Sequence, residues 1–324
     1  MPTPFVVTVD TEEEWDWASG YPTGPTRVTN IARLPAFQDA CAQHGAAVTY
    51  FVNHAVLADD ASARVISELA ARPRVEIGMH VHPWNTPPLQ AAERVPVRDS
   101  FIHDLPPELA LAKLNTVYDA FASRGLKPIT FRGGRYSTSA LVQQWLRERG
   151  FVADASILPY TSWTDDGAPN YARRAPEPVR TDAGLWELPL SLGFTRGPFG
   201  FWRRALSAAS IVPKLVGALS KFGVAERAWL NFENTLGARM PPLIRALLKR
   251  NVPYLCFTLH SSSLLPGGSP YAPNESAVAA LLARLSDVLA RCAADPDLEP
   301  ATVAEIASRL ESQQHARHRD QPAG

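Results

Sequence analysis

Short runs of β-branched and apolar residues alternate along the chain with longer stretches in which apolar residues recur every three or four positions. Residues 5–9, 46–52 and 75–78 are such short runs and are predicted to be buried strands. Residues 31–44 and 53–70 lie between them and have the helical period. Alternating strands and helices predict a parallel sheet with crossover helices, so the fold class is α/β.

The alternation continues into the second half of the chain. Further strands are predicted at residues 129–131, 151–156, 185–190 and 253–263, and further helices at residues 108–124, 138–149, 276–293 and 302–310. We interpret residues 1–310 as a single domain in which residues 197–250 form a mostly helical insertion. Residues 311–324 are polar and lack periodicity, so we expect a disordered tail.

Composition narrows the class of protein. The chain has 324 residues, of which 46% are hydrophobic and 20% charged, as in soluble globular proteins. Lys and Arg together number 32, as do Asp and Glu, which gives no electrostatic support for a nucleic-acid partner. Cys41, Cys256 and Cys292 lie far apart without a CxxC pattern, which argues against a disulfide framework and favours a cytoplasmic location. We find no secretory signal and expect no transmembrane helix.

A pair of histidines stands where the third strand ends. His80 and His82 follow an apolar run, and Pro83 then stops the strand. Side chains two apart on an extended backbone point to the same side, so both imidazoles could bind one metal ion. Two ordinary loop histidines are the alternative interpretation.

Acidic residues stand at the end of the first strand. Asp10 and Glu12 are also two apart and would face the same way, whereas Glu13, Glu14 and Asp16 are expected to lie in a solvated loop. Ligand-binding groups of parallel sheets collect at the carboxyl ends of the strands, which gives Asp10 and Glu12 a functional interpretation.

Three more strand ends carry chemically useful side chains. They are Arg132, followed by Gly133 and Gly134, then Asp154, which is either a partner of Arg132 or a cap of its strand end, and His260. A parallel sheet would bring these residues to the same rim as the histidine pair. Two imidazoles and a carboxylate can hold Zn²⁺ with one position open for water, a second carboxylate can take a proton, and a separate histidine can give one. The constellation therefore predicts metal-assisted hydrolysis.

The order of these motifs resembles a known family, the polysaccharide deacetylases with the NodB homology domain, carbohydrate esterase family four. The resemblance runs from about residue 5 to residue 263 and rests on Asp10 with Glu12, His80 with His82, Arg132 after Phe131, and His260 after Leu259. Family members usually space the metal histidines four apart, whereas here they are two apart and Trp84 takes the later position. Gly133 and Gly134 replace the usual proline. These features look like the WalW-like branch, which is associated with lipopolysaccharide biosynthesis.

The resemblance implies a distorted (β/α) barrel with a groove at its carboxyl rim. It implies that Glu12, His80 and His82 bind Zn²⁺ or another divalent ion, although Asp10 is the alternative metal carboxylate. Asp10 would then be the base and His260 the acid, and Arg132 would orient Asp10 or Asp154. The residues expected to contact substrate are Trp84, Arg135 and Tyr136.

The implied activity is removal of an N-acetyl or other acyl group from a sugar of a surface-glycan or lipopolysaccharide precursor. Two alternatives remain open, a metal-independent amide hydrolase of the same superfamily and an inactive glycan-binding protein. The helical insertion, with Trp202, Arg203 and Arg204 near its start, could cover the groove or touch a membrane surface that carries a lipid-linked substrate, and core packing is the alternative that we favour. The sequence does not indicate an oligomeric state.

Overall fold

The strands and helices follow the predicted alternation. The computed structural model describes residues 1–24, 26–162, 164–196, 226–233 and 239–319. The strands are β1 Thr3–Thr11, β2 Tyr21–Pro22, β3 Val48–Val52, β4 Val75–Val81, β5 Arg94–Val95, β6 Thr130–Gly133, β7 Ala153–Asp154, β8 Val179–Arg180, β9 Trp186–Glu187, β10 Leu192–Arg196, β11 Glu226–Trp229, β12 Leu255–His260 and β13 Leu298–Pro300. The α-helices are α1 Leu34–Gln43, α2 His54–Ala58, α3 Asp60–Ala70, α4 Pro107–Ser123, α5 Ala140–Glu148, α6 Met240–Leu248, α7 Glu275–Ala294 and α8 Val303–Arg319.

One curled sheet organises the molecule. Its strands follow the order β12-β1-β3-β4-β6-β7-β9-β8, and β13 pairs with the beginning of β1. All neighbours are parallel except β8, which runs antiparallel to β9. Asp10 is opposite His260 and His80 is opposite Arg132, so the carboxyl ends of the strands share one rim.

Irregular chain bridges the space between β9 and β12. Tyr254 Oη donates to the Pro189 carbonyl at 2.6 Å, and the amide of Cys256 donates to Ser191 Oγ at 2.8 Å. Asn231 forms a parallel bridge with Thr258 of β12. The sheet is therefore a distorted barrel, which confirms the predicted fold class.

Alternation along β1 decides which side chains reach the inside of the barrel. Val7 and Val9 pack in the larger core with apolar residues of the surrounding helices, whereas Val6 packs in a second core with Cys256. Both faces of β1 are thus buried, as in covered parallel sheets. Asp10 has the parity of Val6, which directs its carboxylate to the inner face at the rim.

Two predicted segments differ from the structure. The insertion at residues 197–250 is not helical throughout, because β11 pairs antiparallel with β10 before helix α6 begins, while residues 197–225 and 234–238 lie outside the described residues. The predicted disordered tail is wrong for residues 311–319, which continue helix α8. Glu311 fixes this helix, since it accepts from Trp186 Nε1 at 2.9 Å and pairs with Arg180. In the described parts of the chain, every helix is too short or too polar to cross a bilayer.

Candidate active site

Three side chains converge at the carboxyl rim. Glu12 leaves the end of β1, His80 lies in β4, and His82 follows β4 on the same face two residues later. His82 Nε2 lies 3.0 Å from both His80 Nε2 and Glu12 Oε2, and His80 Nε2 lies 3.6 Å from Glu12 Oε2. Each of the three residues is only 2% exposed. The predicted metal residues therefore form one buried cluster.

Hydrogen bonds on the far sides of the rings fix the two imidazoles. The carbonyl oxygen of Arg132 lies 2.7 Å from His80 Nδ1, and Glu13 Oε1 lies 2.8 Å from His82 Nδ1. Both acceptors require a proton on Nδ1, so Nε2 is the atom of each ring that would bind a metal ion at the centre of the cluster. The backbone of Glu12 is held as well, because its amide donates to Ser261 Oγ at 3.0 Å.

The cluster fits a small cation. Its three converging atoms are all of types that bind metals, and the other carboxylate oxygen, Glu12 Oε1, is buried without a hydrogen-bond partner among the described residues. A tetrahedral zinc ion with ordinary bond lengths holds its ligand atoms about 3.3 Å apart, which lies inside the observed range of separations. The buried negative charge of Glu12 is unfavourable unless a positive charge, that of a cation or of a protonated histidine, joins it.

Electrostatics at the cluster also favour positive charge. Burial lowers the pKa of His82, but the Glu13 and Glu12 carboxylates outweigh burial and raise that pKa to about 9. Burial likewise opposes ionisation of Glu12, yet the charges of His260 and His82 hold the pKa of Glu12 well below its usual range. Glu12 is thus kept ionised.

Glu13 is a site residue that the sequence prediction missed. It was expected to be solvated, but it is fully buried and accepts hydrogen bonds from His82 and from Asn53 Nδ2. Asn53 follows strand β3 and begins helix α2, so this contact joins two strand ends. A carboxylate behind a metal-binding histidine fixes its orientation and raises its basicity.

Asp10 is held by the predicted arginine. Arg132 Nη1 donates to Asp10 Oδ1 at 2.5 Å, while Arg132 Nε donates to the Ala155 carbonyl at 3.1 Å. The guanidinium carbon also lies 4.4 Å from the centre of the Phe51 ring. Arg132 is fully buried, so the pair is dry and rigid. Asp10 Oδ2, the other oxygen, is the one that faces His260, at 3.9 Å from its Nε2.

Asp154 does not pair with Arg132, which corrects one of the two partnerships considered. Its carboxylate accepts from Thr138 at 2.6 Å and from the amide of Ser156 at 3.0 Å, and Ser156 in turn accepts from the amide of Gly133 at 2.8 Å. Asp154 is absent from the described lining of the active-site pocket. Burial raises the pKa of Asp154 to about 6. This residue holds the loop after β6 in place from behind.

His260 is paired with a second unpredicted acid. Glu233 Oε2 lies 2.9 Å from His260 Nδ1, and Glu233 Oε1 accepts from the backbone amide of His260 at 3.1 Å. Burial lowers the pKa of His260, but the carboxylates of Glu233, Glu12 and Asp10 together raise it to about 10. His260 is therefore held protonated, with Nε2 directed toward Asp10.

The two glycines after Arg132 bring the loop against the histidines. A Cβ on Gly134 would lie 2.6 Å from His82 Cδ2, and one on Gly133 would lie 1.8 Å from the Ser137 carbonyl oxygen. Larger residues would push the loop outward. The two glycines therefore allow the backbone of this loop to pack directly against His82, a member of the metal cluster.

Aromatic side chains line the pocket that contains the cluster, Asp10 and His260. The pocket has a volume of about 370 Å³. Its described lining consists of Asp10, Glu12, Trp15, Trp17, Tyr21, His80, His82, Trp84, Arg135, Tyr136, Asp166, Trp229, His260 and Tyr271. Trp84 stacks on His82 with ring centres 4.0 Å apart. Trp84, Arg135 and Tyr136, which were predicted to contact substrate, are among these lining residues, and the other aromatic residues of the pocket were not predicted.

Fold and site together define a deacetylase-fold protein with a Glu-His-His cluster at the carboxyl rim. The chain is similar to a provisionally assigned polysaccharide deacetylase from Mycobacterium smegmatis, with 19% identity over 97% of this chain and 92% of that one and a TM-score of 0.53. It is also similar to a GH57 branching enzyme from Thermococcus kodakaraensis, with 10% identity over 97% of this chain and 71% of that one and a TM-score of 0.50.

A third similar structure is a provisionally assigned polysaccharide deacetylase involved in O-antigen biosynthesis from Bordetella bronchiseptica. It shares 12% identity over 89% of each chain, with a TM-score of 0.43. No family model and no curated protein matches the sequence. The predicted resemblance to polysaccharide deacetylases is confirmed at the level of the fold.

Proposed function

We propose that the protein is a metal-dependent hydrolase that removes an N-acetyl or other acyl group from a sugar of a surface-glycan or lipopolysaccharide precursor. The observation that carries this proposal is the meeting of the Glu12, His80 and His82 cluster with Asp10 and His260 in one aromatic-walled pocket. A cation site beside a base and an acid is the arrangement that amide hydrolysis needs.

Glu12, His80 and His82 would hold the metal, which is Zn²⁺ or a similar divalent ion. When bound, such an ion polarises a carbonyl group and lowers the pKa of water. Glu13 and the Arg132 carbonyl would keep both imidazoles in the ligating tautomer, since they occupy the Nδ1 positions.

Asp10 would accept the proton of the attacking water. Its Oδ1 is tied to Arg132, which leaves Oδ2 as the oxygen available on the pocket side. The buried guanidinium stabilises the ionised carboxylate and prevents it from rotating. Arg132 is therefore a positioning residue.

His260 would give a proton to the departing amine. Glu233 and the other nearby carboxylates favour its charged form, and the contact at Nδ1 leaves the Nε2 proton directed toward the pocket. The base and the acid would thus stand side by side, 3.9 Å apart at Asp10 Oδ2 and His260 Nε2.

The aromatic wall would hold the sugar. The faces of Trp84 and Trp15 lie beside His82, with Trp15 at 5.5 Å between ring centres. Indole rings pack well against the C–H faces of sugar rings, and their N–H groups can donate to hydroxyl or acyl oxygens. The Nε1 atoms of Trp15, Trp17 and Trp84 have no partner among the described residues.

The test is acetate release from N-acetylated amino sugars and their oligosaccharides by the zinc-loaded protein. Asp10→Asn should reduce release by about 100-fold or more, the usual worth of a general base. A matched Asp39→Asn variant, at a surface ion pair with Arg72, should keep parental activity. If no acylated sugar is hydrolysed, or if Asp10→Asn hydrolyses it as fast as the parent, the proposed function is wrong.

Residues 1–310, together with the rest of helix α8 to residue 319, are proposed as one catalytic domain in the cytoplasm, without a nucleic-acid partner. The three cysteines are buried free thiols, which supports a reducing compartment. We also propose peripheral membrane contact through the segment at residues 197–250. Co-sedimentation with vesicles containing anionic lipid at low salt should then exceed that with neutral vesicles, and equal recovery in the supernatant would exclude such contact.

A further inference from the structure

Arg135 is placed in the pocket by an unusual backbone. Its φ is 53°, and that of the next residue, Tyr136, is 58°. Consecutive residues with side chains rarely adopt this left-handed conformation, because it is unfavourable without glycine. Such conformations persist where surrounding structure enforces them, and they cluster at functional sites.

Aromatic rings hold the guanidinium of Arg135 on two sides. Its central carbon lies 3.9 Å from the centre of the Phe101 ring and 4.7 Å from that of Tyr21. Nη1 donates to Ser100 Oγ at 2.7 Å. The planar group is thus fixed in orientation, and its hydrogen-bond acceptor among the described residues is a neutral hydroxyl.

The charge of Arg135 has no carboxylate in ion-pair contact among the described residues. Asp166 shares the pocket, and its field together with that of Tyr21 favours the charged form, but burial has the larger effect and lowers the pKa of Arg135. Arg132, in contrast, is buried against Asp10. A partly desolvated arginine with unused donors is set up to receive an anionic group.

We propose that Arg135 binds a carboxylate or phosphoryl group on the substrate, so that the pocket selects acylated sugars that carry negative charge. This inference rests on the proposed deacylase function and narrows its substrate class. The planar fork of guanidinium matches two oxygens of either anion, and its stacking between Phe101 and Tyr21 reduces the entropy lost on binding.

The experiment is an equilibrium titration of the zinc-loaded full chain, followed by the fluorescence of the pocket tryptophans. The probes are N-acetylglucosamine, N-acetylglucosaminuronic acid and N-acetylglucosamine 1-phosphate. The parent should bind at least one charged probe about 10- to 100-fold more tightly than the neutral sugar, the usual worth of a charge-assisted hydrogen bond. The charged probe that binds more tightly shows whether Arg135 prefers a carboxylate or a phosphoryl group.

Two substitutions and a control separate recognition from structure. Arg135→Gln should abolish the preference for charge, and Arg135→Lys should keep part of it, because it retains the charge without the planar fork. Arg98→Gln, at an arginine whose side chain is 73% exposed, should leave the preference unchanged. The ratio of charged to neutral affinity is read within each variant, so partial unfolding does not alter it.

Equal affinity for charged and neutral sugars, or binding of neither charged probe by the parent, overturns the inference. A preference that survives Arg135→Gln also overturns it, because the charge would then be recognised by the metal or by His260. Acetate release without any charge preference would leave the proposed function standing and remove this inference. If the preference for charge depends on Arg135 but no probe is hydrolysed, anion binding by Arg135 would stand and the proposed function would lose its support.

Discussion

Replacing Glu13 by Gln should weaken metal binding although Glu13 is not a metal ligand. Its Oε1 lies 2.8 Å from His82 Nδ1, it is fully buried, and Asn53 Nδ2 holds its other oxygen. Gln can still accept a hydrogen bond from Nδ1, but its amide nitrogen then faces Asn53 Nδ2, so the hydrogen bond from Asn53 is lost together with the negative charge. Removing such supporting groups costs about 10- to 100-fold in metal affinity. Since the hydrogen bond from His82 is retained, we expect the lower end of this range.

The assay is competition for Zn²⁺ between the protein and a chromophoric chelator at neutral pH. Glu14→Gln is the matched control, because Glu14 is the next acid in the same loop and bonds to Thr29 and the amide of Asn30 instead of to a histidine. The control should keep the parental dissociation constant. If Glu13→Gln keeps the fold and the parental dissociation constant for Zn²⁺, Glu13 does not orient and polarise His82 as proposed.

Three further predictions concern the groups around the cluster. Glu233→Gln should lower kcat by about 100-fold with little change in KM, because the acid His260 loses its orienting carboxylate, whereas Glu226→Gln should not; steady-state acetate release measures both. Arg132→Met should lower the free energy of unfolding in urea by about 3–5 kcal/mol, since it leaves the buried Asp10 carboxylate without its partner, while Arg291→Met at the exposed pair with Asp287 should change it by under about 1 kcal/mol. Asp154 has a pKa of about 6 in the folded protein, above its unfolded value, so its contribution to stability is present below pH 4 and is lost as pH rises through 6. Asp154→Asn should remove this loss, so the stability of the parent relative to Asp154→Asn should fall by roughly 3 kcal/mol between pH 4 and pH 7.5; a parallel pH profile of the two proteins would contradict it.

The sequence predicts the metal cluster because the periodicity of strands is local. His80 and His82 are two apart on an extended segment, and Asp10 and Glu12 follow the same rule, so their directions can be predicted without knowing the fold. Parallel pairing then aligns Asp10 with His260 and His80 with Arg132. Because both rules apply without knowledge of the whole fold, the sequence could predict which side chains meet at the rim.

The supporting acids could not be predicted, because their partners are distant in the chain. Glu13 is buried only because Asn53 and His82 reach it from other strand ends. Glu233 lies just after strand β11, inside a segment whose composition suggested a helix, and tertiary pairing with β10 overrides that preference. The run of three consecutive acids after β1, in which Glu13 is the middle one, is the one local signal that could have drawn attention to it.

The structure of the end of helix α8 also depends on contacts that are distant in the chain. Residues 311–319 are polar and lack a clear apolar period, and this composition suggested disorder. The helix is nevertheless fixed at Glu311 by Trp186 and Arg180, two contacts with strands more than a hundred residues earlier. Polar composition alone therefore could not decide the structure of this segment.

Metal content shows directly whether Glu12, His80 and His82 bind a metal ion. The purified protein, dialysed against Zn²⁺ and then against buffer, is analysed for bound metal beside a variant with His80→Ala and His82→Ala and beside a control with His315→Ala, whose side chain is 67% exposed. We predict about one equivalent of zinc or a similar ion in the parent and the control, and none in the double variant. Absence of bound metal in the parent, or equal metal in the double variant, would contradict it.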